Sequence, residues 1–365
     1  MSGILHTREL VCGYPGTPEP VLAGLSLTVH PGRLVCVIGS NGAGKTTLVR
    51  ALAGLLKPRC GQVLMGDELL HDVDTRDRAR EISVVLTRLP VPGYLSVQSF
   101  VEIGRHPYTG TLGALRDTDR DAVTSAMEQV GILHLRHRWM SAISDGERQR
   151  AAIARALAQA ARLMILDEPT AFLDVEARAL VMTLLRRVAH ETGRGVIATT
   201  HDIELALRIA DEIWMITPEG DLLTGAPEDL VLGGAMEQVF PEHVLRFDPK
   251  SGGFRLPRPA GPVVTVIGTG VLALWTMHAL ERAGLQPIGK VTTESGAAEA
   301  AATAAAPETP ASGPGNELAA IVPTSLGSPW QLHHRGEIWD CPTLGTLVEQ
   351  CRSLETGSHD QFTHV

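Results

Sequence analysis

The sequence predicts an α/β fold, in which helices cover both faces of a parallel sheet, followed by a second and smaller α/β domain. Three short apolar runs support the parallel sheet, and each leads into a helix-like segment: residues 33–38, 163–166 and 196–200. Strands that alternate with helices are typical of parallel sheets, and wholly apolar strands are typical of sheets covered on both faces. The length of 365 residues favours two domains over one.

The first domain is expected to span residues 1–247. At its start, residues 4–14 and 21–29 alternate between apolar and polar side chains, which predicts two antiparallel strands. A helix is predicted at residues 45–55, soon after the first parallel strand. From about residue 87 to 140 the strand signal disappears, and charged amphipathic patterns predict a helical insert.

The second domain, an accessory α/β domain at residues 263–365, follows a linker rich in proline and glycine at residues 248–262. Residues 263–280 are apolar enough to resemble a membrane span, but their glycines favour a strand, a tight turn and a helix. Residues 295–315 are almost all Ala, Gly, Pro, Thr and Ser, which predicts disorder. Near the C-terminus, a hairpin that turns at Arg335-Gly336 is predicted.

Composition argues against two classes of protein. The net charge of −9 disfavours non-specific nucleic-acid binding, because such a protein needs a basic surface. The five cysteines are scattered, odd in number and without metal-ligand spacing, which is typical of a reducing cytosol rather than a disulfide framework. The sequence does not open with a charged segment followed by an apolar one, so no signal peptide is predicted.

A glycine-rich loop between the first parallel strand and its helix predicts a phosphate-binding site. Glycines let backbone N–H groups surround phosphate oxygens at a helix N-terminus, where the helix dipole favours anions. Within the loop, Lys45 suits the β- and γ-phosphates, and Thr46 suits Mg²⁺. The loop fits the pattern GxxxxGK[ST] and is followed by Thr47: Gly39, Ser40, Asn41, Gly42, Ala43, Gly44, Lys45 and Thr46.

Two acidic residues and a histidine are predicted at the same edge of the sheet. Asp167 and Glu168 follow the apolar run 163–166, and a parallel sheet brings the carboxyl ends of its strands to one edge. Asp167 suits a Mg²⁺ ligand, and Glu168 suits the base or orienting group for an attacking water. His201 follows the run 196–200 and suits a contact to the γ-phosphate.

These residues, together with the segment Ile143-Ser144-Asp145-Gly146-Glu147-Arg148-Gln149, make residues 1–245 resemble the ATP-binding cassette (ABC) ATPases. The segment precedes an alanine-rich helix predicted at residues 150–160. It is similar to the family's Leu-Ser-Gly-Gly-Gln element, with Asp145 in place of a glycine and Glu147 in place of the glutamine. The resemblance implies a P-loop NTPase cassette with a parallel sheet core, an antiparallel β subdomain and a helical insert. Such a cassette binds and hydrolyses ATP with Mg²⁺.

The resemblance also implies a homodimer of two cassettes arranged head to tail. Each ATP is then held between the phosphate loop of one subunit and the turn at residues 144–146 of the other. Asp174 matches the family's loop that contacts the opposite site, and Tyr14 matches the aromatic residue that stacks on adenine. The family's switch glutamine falls near Thr87, which is shorter but still offers an oxygen to Mg²⁺ or water.

Two further segments resemble importers of iron chelates, haem and cobalamin: Leu95-Ser96-Val97 and Gly104-Arg105-His106-Pro107-Tyr108. This resemblance implies a peripheral protein on the cytoplasmic face of the cell membrane. Its implied partners are integral membrane permease subunits and, indirectly, a substrate-binding protein, with no nucleic acid. The cargo is selected by those partners, so this sequence does not identify it.

Alternatives to an importer remain open. An exporter cassette is disfavoured by residues 104–108. A soluble cassette ATPase of translation or DNA repair is also disfavoured, because such proteins usually have a second cassette or a long coiled coil, and this sequence shows neither. In the second domain, Gly268-Thr269-Gly270 follows a strand in the pattern GxGxx[GA], which a nicotinamide dinucleotide could use. The acidic residue expected near Ile288 is missing. The glycines are therefore interpreted as a close-packed turn, and no NAD or NADP binding is predicted.

Overall fold

The computed structural model describes residues 3–87, 94–110, 113–240, 246–249, 251–257, 259–290 and 318–355. The chain divides into two units, Met1–Arg255 and Leu256–Val365. The stretch predicted to be disordered, residues 295–315, lies outside the described residues. Within the described part of the chain, no helix has both the length and the apolar character needed to cross a bilayer.

The first unit starts with an antiparallel sheet. In chain order, its elements up to residue 85 are β1 (Leu5–Cys12), β2 (Leu22–Leu25), β3 (Thr28–Val29), β4 (Leu34–Gly39), α1 (Lys45–Leu52), β5 (Cys60–Met65), β6 (Glu68–Leu69), α2 (Thr75–Glu81) and β7 (Ile82–Val85). Strand β1 pairs antiparallel with β2, β3 and β5, and β5 pairs with β6. The predicted antiparallel β subdomain is therefore confirmed.

The rest of the first unit contains the helical insert and the other strands of the parallel sheet. These elements are α3 (Val97–Glu102), α4 (Asp117–Gln129), α5 (Asp145–Ala158), β8 (Leu163–Leu166), α6 (Val175–Thr192), β9 (Gly195–Thr199), α7 (Ile203–Ile209), β10 (Glu212–Ile216), β11 (Leu222–Gly225), α8 (Pro227–Leu232), α9 (Ala235–Val239), β12 (Arg246–Asp248) and β13 (Gly253–Arg255). Short 3₁₀ helices lie at Ile103–Tyr108, Leu133–Leu135 and Met140–Ala142. The predicted helical insert is confirmed by α3, α4 and these 3₁₀ helices.

The central sheet has the strand order β11–β10–β4–β9–β8–β7, and its neighbouring strands are parallel except β10 and β11. Every residue of β4, β8 and β9 is buried. In β4, Cys36 and Ile38 belong to the core that includes α5 and α6, whereas Val35 and Val37 belong to the core that includes α1 and β1. The predicted parallel sheet covered on both faces is confirmed, and its carboxyl edge carries the site.

The first unit ends later than the sequence suggests. Strands β12 and β13 form an antiparallel hairpin in which the rings of Phe247 and Phe254 lie 5.4 Å apart. Phe254 also contacts Phe240, at 5.5 Å between ring centroids, so the hairpin belongs to the core of this unit. The boundary expected after residue 247 therefore falls inside a hairpin. The prolines and glycines around these aromatic residues gave the appearance of a linker.

The second unit is a smaller α/β fold with the strand order β15–β14–β16–β17–β18. Its elements are β14 (Val263–Ile267), α10 (Gly270–Arg282), β15 (Gln286–Lys290), β16 (Leu318–Ile321), β17 (Trp330–His334), β18 (Glu337–Cys341) and α11 (Leu344–Glu355). Strand β14 is parallel to both neighbours, and β14 with α10 confirms the strand, turn and helix predicted at residues 263–280. The predicted hairpin turn has positive φ angles at Arg335 and Gly336, as two-residue turns between β-strands favour.

Candidate functional site

The loop between β4 and α1 presents an uncapped helix N-terminus. Gly44 precedes the helix with φ of 106°, a conformation that glycine adopts without strain. No side chain caps α1, and no acidic residue lies in its first turn. The N–H groups of this turn are therefore available to an anion, as the phosphate-loop pattern predicts.

Lys45 is held inside this loop by two backbone carbonyl groups. Its Nζ atom donates hydrogen bonds to the oxygens of Gly39, at 2.9 Å, and Ser40, at 3.0 Å. Burial lowers the pKa of Lys45, while the nearby carboxylates of Glu168 and Asp167 act in the opposite direction. The ammonium group thus lies close to the acidic pair, and it can exchange carbonyl partners for phosphate oxygens.

The Asp167 carboxylate lies beside the phosphate loop. Its Oδ1 atom accepts hydrogen bonds from the hydroxyl of Thr46, at 3.1 Å, and from the hydroxyl of Thr199, at 3.0 Å. Asp167 is buried. A carboxylate next to a threonine hydroxyl is the hard oxygen donor set that suits Mg²⁺, so the residues present fit this cation.

Glu168 and His201 are in direct contact. The imidazole Nε2 of His201 lies 2.5 Å from Oε1 of Glu168, and both side chains are partly exposed. The backbone of Glu168 has φ of 51°, and its N–H donates a 2.7 Å hydrogen bond to the hydroxyl of Thr199. The structure thus brings together the two residues that the sequence assigns to catalysis. Thr199 was missed, because a threonine in a strand is an ordinary β-branched residue.

The side chain of Thr87 contacts the backbone of the acidic segment. Its hydroxyl donates a 2.9 Å hydrogen bond to the carbonyl oxygen of Asp167. Thr87, which the resemblance assigns to the position of the switch glutamine, is therefore joined by a hydrogen bond to the segment that follows β8. The oxygen of this hydroxyl keeps its lone pairs, so its assignment as an oxygen donor to Mg²⁺ stays a prediction.

Tyr14 lies near the start of α1, where the Thr47 hydroxyl is 3.5 Å from the Tyr14 hydroxyl. The turn that carries Tyr14 is held by Arg59, whose guanidinium donates to the carbonyl oxygens of Tyr14, at 2.6 Å, and Thr17, at 2.5 Å. Tyr14 is partly exposed, at 37%. Its ring is therefore accessible beside the phosphate loop, and stacking on adenine stays a prediction.

The segment similar to Leu-Ser-Gly-Gly-Gln forms the N-terminus of α5 rather than a free turn. The helix begins at Asp145, earlier than the predicted residue 150, because Ser144 and Glu147 form a capping box. The N–H of Ser144 donates to Oε2 of Glu147 at 2.8 Å, and this bond, with one from the Ser144 hydroxyl, lowers the pKa of Glu147. Asp145 forms an ion pair with Arg148. Ser144 and Asp145 are exposed.

Asp174 lies at the start of α6, where its carboxylate accepts a 2.8 Å hydrogen bond from the N–H of Ala177. The residue is exposed, as is Phe172 at 75%. Among the described residues, no hydrogen bond joins residues 144–147 or Asp174 to the phosphate loop of the same chain. Their proposed contacts are to a second subunit.

Gly268, the first glycine of the motif in the second unit, serves close packing. A Cβ atom on Gly268 would lie 2.6 Å from Cβ of Val322, the residue after β16. The N–H of Val322 also donates a 2.9 Å hydrogen bond to the carbonyl oxygen of Ile267. The turn is thus closely packed on the neighbouring strand, which supports the structural interpretation of this motif.

Sequence comparisons identify relatives of this chain. The family model described as ABC transporter matches residues 22–171. An uncharacterized ABC transporter ATP-binding protein of Methanocaldococcus jannaschii is 39% identical over 237 residues, which cover 65% of this chain and 81% of the relative. A cobalamin import ATP-binding protein of Halobacterium salinarum is 36% identical over 272 residues, which cover 72% and 68%. The ferric enterobactin transport ATP-binding protein of Escherichia coli is 32% identical over 257 residues, which cover 70% and 94%.

Solved structures of cassettes share this fold. A dimeric structure of the cassette MJ0796, bound to ADP and Pi after hydrolysis, has a TM-score of 0.54 and 25% identity, and covers 61% of this chain and 98% of that chain. The cbiO1 subunit of an ABC transporter complex from Clostridium perfringens has a TM-score of 0.57 and 26% identity, and covers 66% and 97%. The predicted fold class is confirmed. The chain belongs to the ATP-binding cassette family, and it binds and hydrolyses ATP.

Proposed function

We propose that this chain powers the import of an iron chelate, haem or a cobalamin-type complex. The observation that carries the proposal is the pair of relatives named for transport of ferric enterobactin and import of cobalamin, each matched over at least two thirds of its length. In this proposal the protein is a peripheral subunit on the cytoplasmic face of the membrane. It acts on integral membrane permease subunits, which receive cargo from a substrate-binding protein.

ATP binds with its phosphates at the N-terminus of α1, where Lys45 exchanges its carbonyl partners for phosphate oxygens. Thr46, which lies in hydrogen-bond contact with Asp167, and Asp167 itself would hold Mg²⁺, and Thr87 is the third residue proposed to donate an oxygen to it. Mg²⁺ bound there neutralises negative charge on the phosphates. Tyr14 stacks on the adenine ring.

Glu168 orients and deprotonates the attacking water. Its carboxylate is partly exposed at the edge of the sheet, so water reaches it, and His201 fixes its orientation through the 2.5 Å contact. The His201 imidazole also contacts the γ-phosphate. Charge that develops on the phosphate oxygens is balanced by Lys45, and catalysis is mainly positioning and electrostatic stabilisation.

A second copy of the chain completes the site in a head-to-tail homodimer. Ser144, Asp145, Gly146 and Glu147 form the first turn of α5 and its cap. In this proposal the N–H groups of Asp145 and Gly146, which lie outside the capping box, face the γ-phosphate held by the other subunit. Asp174 contacts the opposite site from the start of α6. The exposure of Ser144, Asp145 and Asp174 supports this arrangement.

The helical insert transmits the motion of α5 to the permease. A Cβ atom on Gly104 would collide with the carbonyl oxygen of Arg155 in α5, so the insert packs there in close contact. Arg105 is buried, donates a 2.7 Å hydrogen bond to the carbonyl oxygen of Ala158 and pairs with Asp119 at 2.8 Å. Residues 104–108 thus hold the helical insert against α5, so that the two are expected to move together.

The permease contact lies beside this joint. Leu55 and Ile103 are exposed, at 57% and 48%, and line one cleft together with Arg155 and Gln159. Apolar side chains exposed in a cleft suit a helix of a partner protein.

Isolation of the complex tests the proposal. The tagged Glu168→Gln variant, purified with ATP and Mg²⁺ from its own membranes, is expected to carry a polytopic permease that mass spectrometry identifies. Proteoliposomes with the wild-type complex and its binding protein should take up a labelled iron chelate, haem or cobalamin. Uptake of none of the three, or purification with ribosomes or DNA in place of a permease, contradicts the import function.

A further inference from the structure

Thr199 ends β9 beside the acidic pair and is fully buried. Strand β9 is parallel to β8, with Ala198 paired to Leu166, so Thr199 lies next to Asp167 in the neighbouring chain segment. We propose that Thr199 is a positioning residue for ATP hydrolysis, whose hydroxyl fixes the Asp167 carboxylate and the Glu168 backbone relative to each other. This inference rests on the roles proposed above for Asp167 and Glu168.

The hydroxyl group of Thr199 both donates and accepts a hydrogen bond. It donates its proton to Oδ1 of Asp167 at 3.0 Å and accepts the N–H of Glu168 at 2.7 Å. A hydroxyl has one donor, so the donor is fully committed to Asp167. One oxygen atom therefore connects the residue proposed to hold Mg²⁺ with the residue proposed to activate water.

Glu168 needs such a partner because its backbone is strained. Its φ of 51° lies in the left-handed region, which a residue with a Cβ atom keeps only when its surroundings enforce it. The hydrogen bond from the Glu168 N–H to the Thr199 hydroxyl is one contact that holds this conformation. By holding the backbone, it also orients the Glu168 side chain.

Asp167 needs Thr199 for a second reason. Its Oδ1 atom accepts one hydroxyl from the phosphate loop, Thr46, and one from β9, Thr199. When the Thr46 oxygen contacts a cation through a lone pair, its O–H can still donate to Asp167. Thr199 is then the second donor, outside the phosphate loop, that orients the carboxylate, as outer-shell partners of metal ligands do.

Thr217 provides a matched control. It is also buried and follows a central strand, β10, and its hydroxyl accepts a 3.2 Å hydrogen bond from the N–H of Asp221. This bond closes a turn and involves neither Asp167 nor Glu168. Loss of either hydroxyl removes a hydrogen bond of a buried side chain, but only the loss of the Thr199 hydroxyl affects the acidic pair.

The test compares Thr199→Val, Thr199→Ser and Thr217→Val in the full-length chain. Thr199→Val is expected to lower kcat by about 10- to 100-fold and to raise the half-saturating Mg²⁺ concentration, the size typical of outer-shell changes. Thr199→Ser keeps the hydroxyl and should stay close to wild type. Fluorescent ATP titrated with Mg²⁺ gives a readout independent of turnover, and its binding in EDTA should match wild type in all variants.

Three results overturn the proposal. These are wild-type kcat and Mg²⁺ dependence in Thr199→Val, an equal loss in Thr217→Val, and no rescue by Thr199→Ser. If Thr199→Val does not fold, Thr199→Cys, which replaces the hydroxyl with a weak donor and acceptor, decides instead and should show the same two losses. Glu168→Gln in the same assay distinguishes failure of the proposed function from failure of the Thr199 proposal. Normal turnover in Glu168→Gln contradicts the proposed role of Glu168, whatever the result for the Thr199 variants.

Discussion

The imidazole of His201 touches the carboxylate of Glu168, with 2.5 Å between Nε2 and Oε1. Each residue stands two positions beyond the end of its strand, and the two strands, β8 and β9, are parallel neighbours. Leu166 pairs with Ala198, so the segments that follow the two strands lie side by side and bring these two side chains into contact. Substitutions of Glu168 and His201 are therefore expected to have non-additive effects on the rate of hydrolysis.

Glu168→Gln is expected to keep ATP binding and to slow hydrolysis by on the order of 10²–10⁴, because a positioned base is lost. The variant should accumulate as an ATP-bound dimer, which size-exclusion chromatography with and without ATP detects. Lys45→Ala is the contrasting variant, since it should lose ATP binding or hydrolysis and form no such dimer. Wild-type phosphate release by Glu168→Gln contradicts the assignment.

His201→Ala should slow hydrolysis strongly and leave ADP affinity close to wild type, because ADP has no γ-phosphate to contact. Residues in contact are not additive, so the double variant His201→Ala, Glu168→Gln should be little slower than Glu168→Gln alone. Single-turnover phosphate release and calorimetry with ADP check both statements. An unchanged hydrolysis rate in His201→Ala leaves the histidine a structural role only.

Ser144→Arg should leave ATP binding by the monomer nearly intact and prevent the ATP-dependent dimer. The added bulk and charge clash at the closed interface, but Ser144 makes no hydrogen bond to the phosphate loop of its own chain among the described residues. Ser325→Arg, at an exposed serine of the second unit, is the control. ATP titration and chromatography measure the two properties, and an equal loss of monomer binding contradicts the trans role.

Truncation after Arg255 should keep basal ATPase activity within about threefold, because a unit with its own core folds by itself. We expect weaker dimerisation or altered coupling to transport instead. Truncation after Phe247 should also lower the melting temperature, because it removes Phe254 from the ring contacts with Phe240 and Phe247. Equal stability of the two truncated proteins would argue that the hairpin does not belong to the first unit.

Thiol reactivity tests the core of the fold. Burial raises the pKa of Cys12 and of Cys36 to about 12, so neither forms a thiolate near neutral pH. Cys341 and Cys351 are also buried, whereas Cys60 is exposed. Brief labelling of the folded protein should therefore modify one thiol, at Cys60, and labelling in denaturant should modify five. Mass spectrometry of peptides identifies the modified cysteines. Rapid modification of Cys36 in the folded protein would contradict the burial of β4.

Local patterns explain what the sequence predicts well. The phosphate loop and Asp167-Glu168 are short segments attached to apolar strands, so both their chemistry and their position at the sheet edge follow from sequence. Thr199 could not be found this way, because its contacts run to the neighbouring strand. The early start of α5 had a local signal in Ser144 and Glu147, the capping-box spacing, which the resemblance to a family element concealed.

The left-handed backbone at Glu168 also has a consequence for folding thermodynamics. This conformation costs a residue with a Cβ atom on the order of 1–2 kcal/mol, whereas glycine adopts it without that steric penalty. A native domain is stable by only about 5–15 kcal/mol, so the difference is a measurable part of the total. The carboxylate proposed to be catalytic thus lies at a position where glycine would avoid this steric cost. Hydrolysis and thermal stability therefore favour different residues at position 168.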